Sequence, residues 1–85
     1  MKVKNVLQLM RATDRVCVMV YEPKGVITVS DFHRGSVEAV RAKLTKAKSN
    51  PEVISIQCQG SEMILHVSDH KQEIMENTDG IGIFV

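Results

Sequence analysis

The sequence predicts an α+β fold, a two-layer sandwich in which two helices cover one face of a mainly antiparallel sheet. Segments of helical period alternate with short strand-like runs in the order α-β-β-α-β-β, and an apolar run at the C-terminus could add a further strand. Gly60 and Ser61 form a two-residue hairpin signal between two of these runs. The chain has 85 residues, of which 44% are apolar and 25% charged, and this composition is typical of a single small domain spanning residues 1–85.

Two segments have the residue spacing of amphipathic helices. In the first, apolar residues recur at positions i, i+3, i+4 and i+7, which are Val3, Val6, Leu7 and Met10. The second begins at Ser36, and its apolar stripe consists of Val37, Val40, Leu44 and Ala47. The residues SNPE end it, and the lysines near its end suit the helix dipole. We therefore expect two helices that each bury one face.

A hairpin is predicted between these two helices. The run RVCVMVYE is apolar on both alternating faces, which is typical of a strand that is covered on both sides. Pro23 excludes the tight primed turns because proline cannot take positive φ, so we expect a type I turn with a bulge at Gly25. This turn defines the register, which pairs Tyr21 with Ile27 and Met19 with Val29.

A second hairpin is predicted around Gly60 and Ser61. Counting outward from this loop gives three apolar pairs on one face: Cys58 with Met63, Ile56 with Leu65, and Ile54 with Val67. The opposite face, where Gln57 pairs with Ile64 and Ser55 with His66, is expected to be mostly wet. The following segment, DHKQEIMENTDG, is predicted to be a loop or a single helical turn.

Charge is divided unevenly between the two halves of the chain. Residues 1–48 carry ten basic and four acidic residues, a net +6, whereas residues 49–85 carry one lysine and six acidic residues, a net −5. Such a division is found in nucleic-acid-binding proteins, and it also occurs where one half of a fold attracts the other half or a second copy. We favour self-complementarity because no aromatic residues interleave with the basic ones.

The composition also bears on the cellular location. No apolar run reaches the roughly 20 residues that a membrane span needs. The first residues lack the long apolar core of a signal peptide. Cys17 and Cys58 lie far apart, unlike the dense cysteine pattern of small secreted domains. We therefore expect a cytoplasmic protein with no membrane contact.

An interface is predicted from the first strand and the C-terminal run. Two short helices can cover only one face of the sheet, so one of two apolar sets is left uncovered: Val16, Val18 and Val20, or Cys17, Met19 and Tyr21. An exposed apolar stripe usually marks an interface, and an apolar terminal strand adds to a sheet edge of its own or of a neighbouring chain. We assign the interface to Val18, Val20, Ile81, Ile83, Phe84 and Val85. A homodimer or higher oligomer that also binds another protein is expected.

The stretch DFHRGSVEAV suggests an alternative function. If the second strand ends near Phe32 and Ser36 caps the helix, the free amides of the first helical turn point to where anions bind. A phosphate or nucleotide would then be held by His33, Arg34, Gly35 and Ser36. The competing interpretation is an ordinary helix cap with Arg34 in water, since Glu38 in the first turn partly repels an anion.

A third function class is nucleic-acid binding by the basic face of the second helix, formed by Arg41, Lys43, Lys46 and Lys48. A solvated helix end explains these residues more simply, because no stacking aromatics accompany them. No catalytic residue, metal site or cofactor is predicted. The chain lacks a triad or cofactor fingerprint, and Cys58 and His66 are expected on opposite faces of their hairpin, where they cannot share one ion.

The layout of VKNVLQLM, TDRVCVMV, GVITVSDFHRG, SVEAVRAKL and VISIQCQGSEMILHV resembles that of short uncharacterised α/β proteins encoded by bacteriophages and mobile genetic elements. The resemblance covers residues 3–68 and assigns no functional residue. It implies a non-enzymatic binding protein, for example an inhibitor of host defence such as an anti-CRISPR protein. We therefore rank protein binding with self-association first, phosphate or nucleotide binding second, and nucleic-acid binding third.

Overall fold

The computed structural model describes residues 1–24 and 26–78 and confirms the α+β class. It contains a four-stranded mixed sheet and three short helices. In chain order the elements are α1 Val3–Gln8, β1 Arg15–Lys24, β2 Val26–Ser36, α2 Val37–Lys46, β3 Glu52–Gln59, β4 Glu62–Ser68 and α3 Lys71–Thr78. The proposed C-terminal strand, with Ile81, Ile83, Phe84 and Val85, lies outside the described residues.

The strands are arranged in the order β2-β1-β4-β3. Both hairpins are antiparallel, as predicted, but the central strands β1 and β4 are parallel, with Val18 opposite Leu65. Parallel neighbours need a long crossover connection. Here the connection between β1 and β4 includes β2, α2 and β3. The sheet is therefore mixed, with an edge strand from each hairpin on the outside.

The hydrophobic core lies between the sheet and the first two helices. Its buried members come from every strand except β2: Val3, Val6, Leu7, Val16, Val18, Val20, Val37, Val40, Leu44, Val53, Leu65 and Val67. The predicted stripes of both helices are therefore confirmed at their inward positions, apart from the half-buried Met10 and the exposed Ala47. α1 is fixed beside β3 by two backbone hydrogen bonds, from Val3 N to the Pro51 carbonyl and from Val53 N to the Met1 carbonyl.

The predicted register of the first hairpin is wrong. Tyr21 pairs with Val29 and Met19 with Phe32, because both strands continue toward the turn as far as Lys24 and Val26. The bulge predicted at Gly25 falls outside the described residues. A bulge lies within β2, where Ser30 is the extra residue opposite the step from Val20 to Tyr21. Its hydroxyl donates a hydrogen bond to the Val20 carbonyl at 3.3 Å. Counting residues outward from a turn gives the correct register only if the turn begins where it is expected, and here both strands extend further toward the turn.

The second hairpin matches its prediction more closely. Four of the five predicted pairs are present, and Gly60 has a φ of +62°, which suits a tight hairpin turn. The pair Ile54 with Val67 is wrong, since a bulge at Ile54 brings Val53 opposite Val67 instead. Cys58 is also exposed rather than buried, because it lies near the end of an edge strand.

α3 replaces the predicted loop or single turn. It begins two residues after β4 and contacts β1 and β3, the strands on either side of β4. Ile74 is its buried residue, with no exposed surface, although it does not belong to the core beneath α1 and α2. The helix was not predicted because its sequence is mostly polar: among residues 71–75, only Ile74 is buried.

Candidate interaction surface

The structure does not form a loop at the predicted anion site. β2 continues through Ser36, so His33, Arg34 and Gly35 are strand residues. Two of these side chains have carboxylate partners: His33 Nε2 lies 3.0 Å from Asp31 Oδ2, and Arg34 Nε lies 2.9 Å from Glu62 Oε2. The prediction of a positive loop is therefore wrong.

The amides at the start of α2 are also engaged. Val37 N donates to the Asp14 carbonyl at 2.9 Å, and Glu38 N donates to the Ala12 carbonyl at 3.1 Å. Ala39 N donates to Ser36 Oγ at 3.2 Å, so Ser36 is the helix cap. Because these three donors already have partners, the geometry supports the helix-cap interpretation and offers little to a phosphate.

The two β1 residues assigned to the interface lie in the core. Val18 has no exposed surface and Val20 is 8% exposed, and both pack with residues of α1 and α2. Their assignment to the interface is therefore wrong. Side chains alternate along a strand, so Val18 and Val20 face these helices, and the alternate set points to the other surface of the sheet. We call that second surface of the sheet the open face. Its β1 members are Cys17, Met19 and Tyr21.

Apolar side chains from three strands lie on the open face. Phe32 is paired with Met19, and Ile64 is paired with Cys17. Phe32 is 51% exposed and Val29 is 44% exposed, whereas Met19 and Ile64 are half-buried. We call Met19, Val29, Phe32 and Ile64 the apolar patch. The two apolar sets of β1 therefore lie in different places. One set lies in the core, and the other lies on the open face beside the partly exposed Phe32 and Val29.

Beside the apolar patch, three polar side chains form a hydrogen-bonded row. The Tyr21 hydroxyl lies 2.8 Å from His66 Nδ1, and His66 Nε2 lies 2.5 Å from Gln57 Oε1. Since an amide oxygen can only accept, Nε2 carries the proton and Nδ1 accepts from the tyrosine. Burial lowers the pKa of His66 and raises the pKa of Tyr21, so both side chains are neutral at neutral pH.

The prediction that the His66 side chain faces water is wrong, since His66 is only 4% exposed. Sequence reasoning missed the row because Tyr21 and His66 meet through the parallel pairing of β1 with β4, for which the sequence holds no local signal. Ser68 strengthens the same junction. Its hydroxyl donates to the Tyr21 carbonyl at 2.7 Å and accepts from His70 N at 2.9 Å.

The cysteines and histidines do not converge on a metal site in the described ranges. No group of three potential metal ligands occurs among residues 1–24 and 26–78. Cys17 is buried under the open face, and burial, followed by the nearby Glu62 carboxylate, raises the pKa of its thiol. The Cys17 thiol is therefore protonated at neutral pH and a weak nucleophile.

The basic residues of the second helix remain exposed. Side chains at the four predicted positions lie on the outer surface of α2 or just after it: Arg41, Lys43, Lys46 and Lys48. Arg41 and Lys46 also line an open apolar groove between α1 and α2, whose floor includes Leu7 and Ala42. The exposed basic residues of α2 thus lie on the helical side of the fold, opposite the open face.

Comparison with known proteins assigns no family to this chain. No protein-family model matches it, and neither a curated protein nor a solved structure matches it significantly. None of the helices in the described part of the chain has the length and apolar character needed to cross a bilayer. The functional interpretation therefore rests on the open face itself.

Proposed function

We propose that this protein is a non-enzymatic binding protein that self-associates, as a homodimer or higher oligomer, and binds another protein through the open face. The observation that carries this proposal is the apolar patch, in which Phe32 and Val29 are each about half exposed beside Met19 and Ile64. Contiguous exposed apolar side chains on a small protein usually mark an interaction site. In this arrangement α1 and α2 cover one surface of the sheet, and a partner covers the apolar patch on the other surface.

The polar groups of the open face support binding rather than catalysis. Both ring nitrogens of His66 are occupied by Tyr21 and Gln57, and Arg34 is paired with Glu62. A general base needs a lone pair that can reach a substrate proton. These side chains instead hold one another in place beside the apolar patch, and only Arg34 among them is largely exposed, as a residue at the rim of a protein–protein interface would be.

The resemblance to short phage proteins extends the proposal to the second partner. A phage or mobile-element protein of this kind would bind a component of a host defence system, as anti-CRISPR proteins do. The residues expected to contact that component are the same apolar patch residues. The proposed location is the cytoplasm, where such a component would be met.

Sedimentation velocity over a range of concentrations tests the self-association. The double variant Phe32→Ser, Val29→Ser removes the two most exposed apolar side chains of the patch, and we expect at least a tenfold weaker association. The matched control is Leu9→Ser, because Leu9 is 83% exposed but lies after α1, away from the open face. A wild-type chain that stays monomeric at every concentration, or an equal loss in the control, would contradict the proposal.

The second-partner part of the proposal has its own readout. Proteins cross-linked to the wild-type chain in host cells should be lost from the Phe32→Ser, Val29→Ser variant and retained by Leu9→Ser. Cross-linked proteins that are the same for all three chains would place any partner on another surface.

A further inference from the structure

Among the described residues, no second strand pairs with the outer edge of β2. β2 is an edge strand, and in the described part of the chain only β1 lies beside it. Phe32 N donates to the Asp31 carboxylate at 2.8 Å rather than to a β1 carbonyl. Inward and outward backbone groups alternate along an antiparallel strand, so the N–H and C=O of Phe32 and Arg34 point outward. An edge of this kind is a template for another strand.

We propose that two copies of this chain join through these edges, with β2 antiparallel to β2 about a two-fold axis at Phe32. This inference rests on the proposed self-association and names its interface. A two-fold axis perpendicular to the sheet makes the contact self-complementary and keeps both open faces on the same side. The two four-stranded sheets then form one continuous eight-stranded sheet.

Side-chain complementarity selects this register over its neighbours. With the axis at Phe32, Asp31 of each chain lies opposite His33 of the other, and the two pairs are equivalent. An axis at Asp31 would place two carboxylates face to face, and an axis at His33 would oppose two imidazoles. Two carboxylates that face each other across a strand pair are destabilising. His33 Nε2 lies 3.0 Å from Asp31 Oδ2 within one chain, so an imidazole and a carboxylate at these positions can form a hydrogen bond.

The same register covers the most exposed part of the apolar patch. Phe32 of one chain lies beside Phe32 of the second copy, and each is flanked by its own Met19 on β1. Aromatic side chains paired across strands stabilise a sheet. In the single chain the Asp31 carboxylate occupies the Phe32 N–H. Pairing replaces that bond with a backbone hydrogen bond and releases the carboxylate to His33 of the second copy. The bulge at Ser30 bends the edge, so the paired segment is short.

Disulfide trapping tests this register. Phe32→Cys is made in a Cys58→Ser background, because Cys58 is the exposed native thiol while Cys17 is buried. Residues on the axis of such a pair have Cα atoms about 5.5 Å apart, within the range that a disulfide spans. The control is Arg34→Cys in the same background with Cys17→Ala added, because Cys17 lies opposite Arg34 on β1 and could otherwise form an intrachain disulfide with the new thiol. Its two copies are offset by four residues, about 13 Å along the strand, which is too far for a disulfide.

Mild oxidation should convert most of the Phe32→Cys protein into a covalent dimer and little of the Arg34→Cys protein. Both are oxidised at a concentration where sedimentation shows that they associate, chosen high enough to offset the weaker association caused by the loss of Phe32. Association without this difference would overturn the β2 register but leave the proposed function intact. A complete lack of association, in the Cys58→Ser background and in the wild type, would overturn both.

Discussion

The hydroxyl of Tyr21 donates a hydrogen bond to Nδ1 of His66 at 2.8 Å, although 45 residues separate the two in the chain. The contact spans the parallel pair of central strands, β1 and β4, which joins the two hairpins into one sheet. Gln57 on β3 extends the row through Nε2 of the same ring. The neutral imidazole is therefore part of how the hairpins are held together, because its two nitrogens bond to a different strand on each side.

The protonation state of His66 should make folding stability depend on pH. Burial lowers the pKa of His66 in the folded state below its ordinary value of 6.5, while the unfolded chain keeps the ordinary value. Below pH 6.5 the unfolded state therefore binds more protons, and the free energy of unfolding falls as the pH decreases. The loss continues until the pH drops below the folded pKa. Urea unfolding followed between pH 7.5 and pH 5.5 measures it.

Two histidine variants separate this effect from other titrations. His66→Gln should remove the part of the pH dependence that begins near pH 6.5. His70→Gln should retain it, because the His70 side chain is 52% exposed. A pH dependence that is unchanged in His66→Gln would mean that another group is responsible.

The sequence predicts the local parts of this fold and misses the long-range ones. Helical periodicity correctly places Leu7, Val40 and Leu44 in the core, and the Gly60 turn correctly sets most of the second hairpin. The bulges at Ser30 and Ile54 were missed, because counting residues outward from a turn assumes an unbroken alternation. Each extra residue shifts that alternation by one position, so that Val29 and Phe32 lie on the same face of β2. The bulge at Ser30 is fixed by pairing with β1, which depends on contacts distant from the turn.

The candidate surface was only half predictable for the same reason. The sequence predicts that one of the two apolar sets of β1 is uncovered. However, Cys17 and Tyr21 on the open face are each only 5% exposed and Met19 is half-buried. The exposed apolar surface therefore comes mainly from Phe32 and Val29 of β2. The structure selects Val18 for the core, because its strand position faces α1 and α2. The choice depends on how α2 crosses the sheet, and no residue of β1 encodes that.

Val18→Ala should therefore act on stability rather than on association. Removing two methyl groups from a side chain with no exposed surface should lower the free energy of unfolding by about 2 kcal/mol. Val29→Ala is the matched control, because the same substitution at a position that is 44% exposed should cost less than about 0.5 kcal/mol. Chemical denaturation at a protein concentration where the chain is monomeric measures both. Equal costs at the two positions would place Val18 at the surface.

Ser36→Ala tests whether Ser36, which was predicted to be part of an anion site, acts as the cap of α2. The Ser36 hydroxyl accepts from Ala39 N at the start of α2, so its loss should lower the free energy of unfolding by about 1 kcal/mol. Ser61→Ala, in the exposed turn of the second hairpin, is the control and should change it by less than about 0.5 kcal/mol. Added inorganic phosphate should stabilise neither chain, because the Val37 and Glu38 amides are already bonded to carbonyls. If phosphate stabilises the wild-type chain and the effect disappears in Arg34→Ala, the start of α2 binds anions after all, and Ser36 is more than a cap.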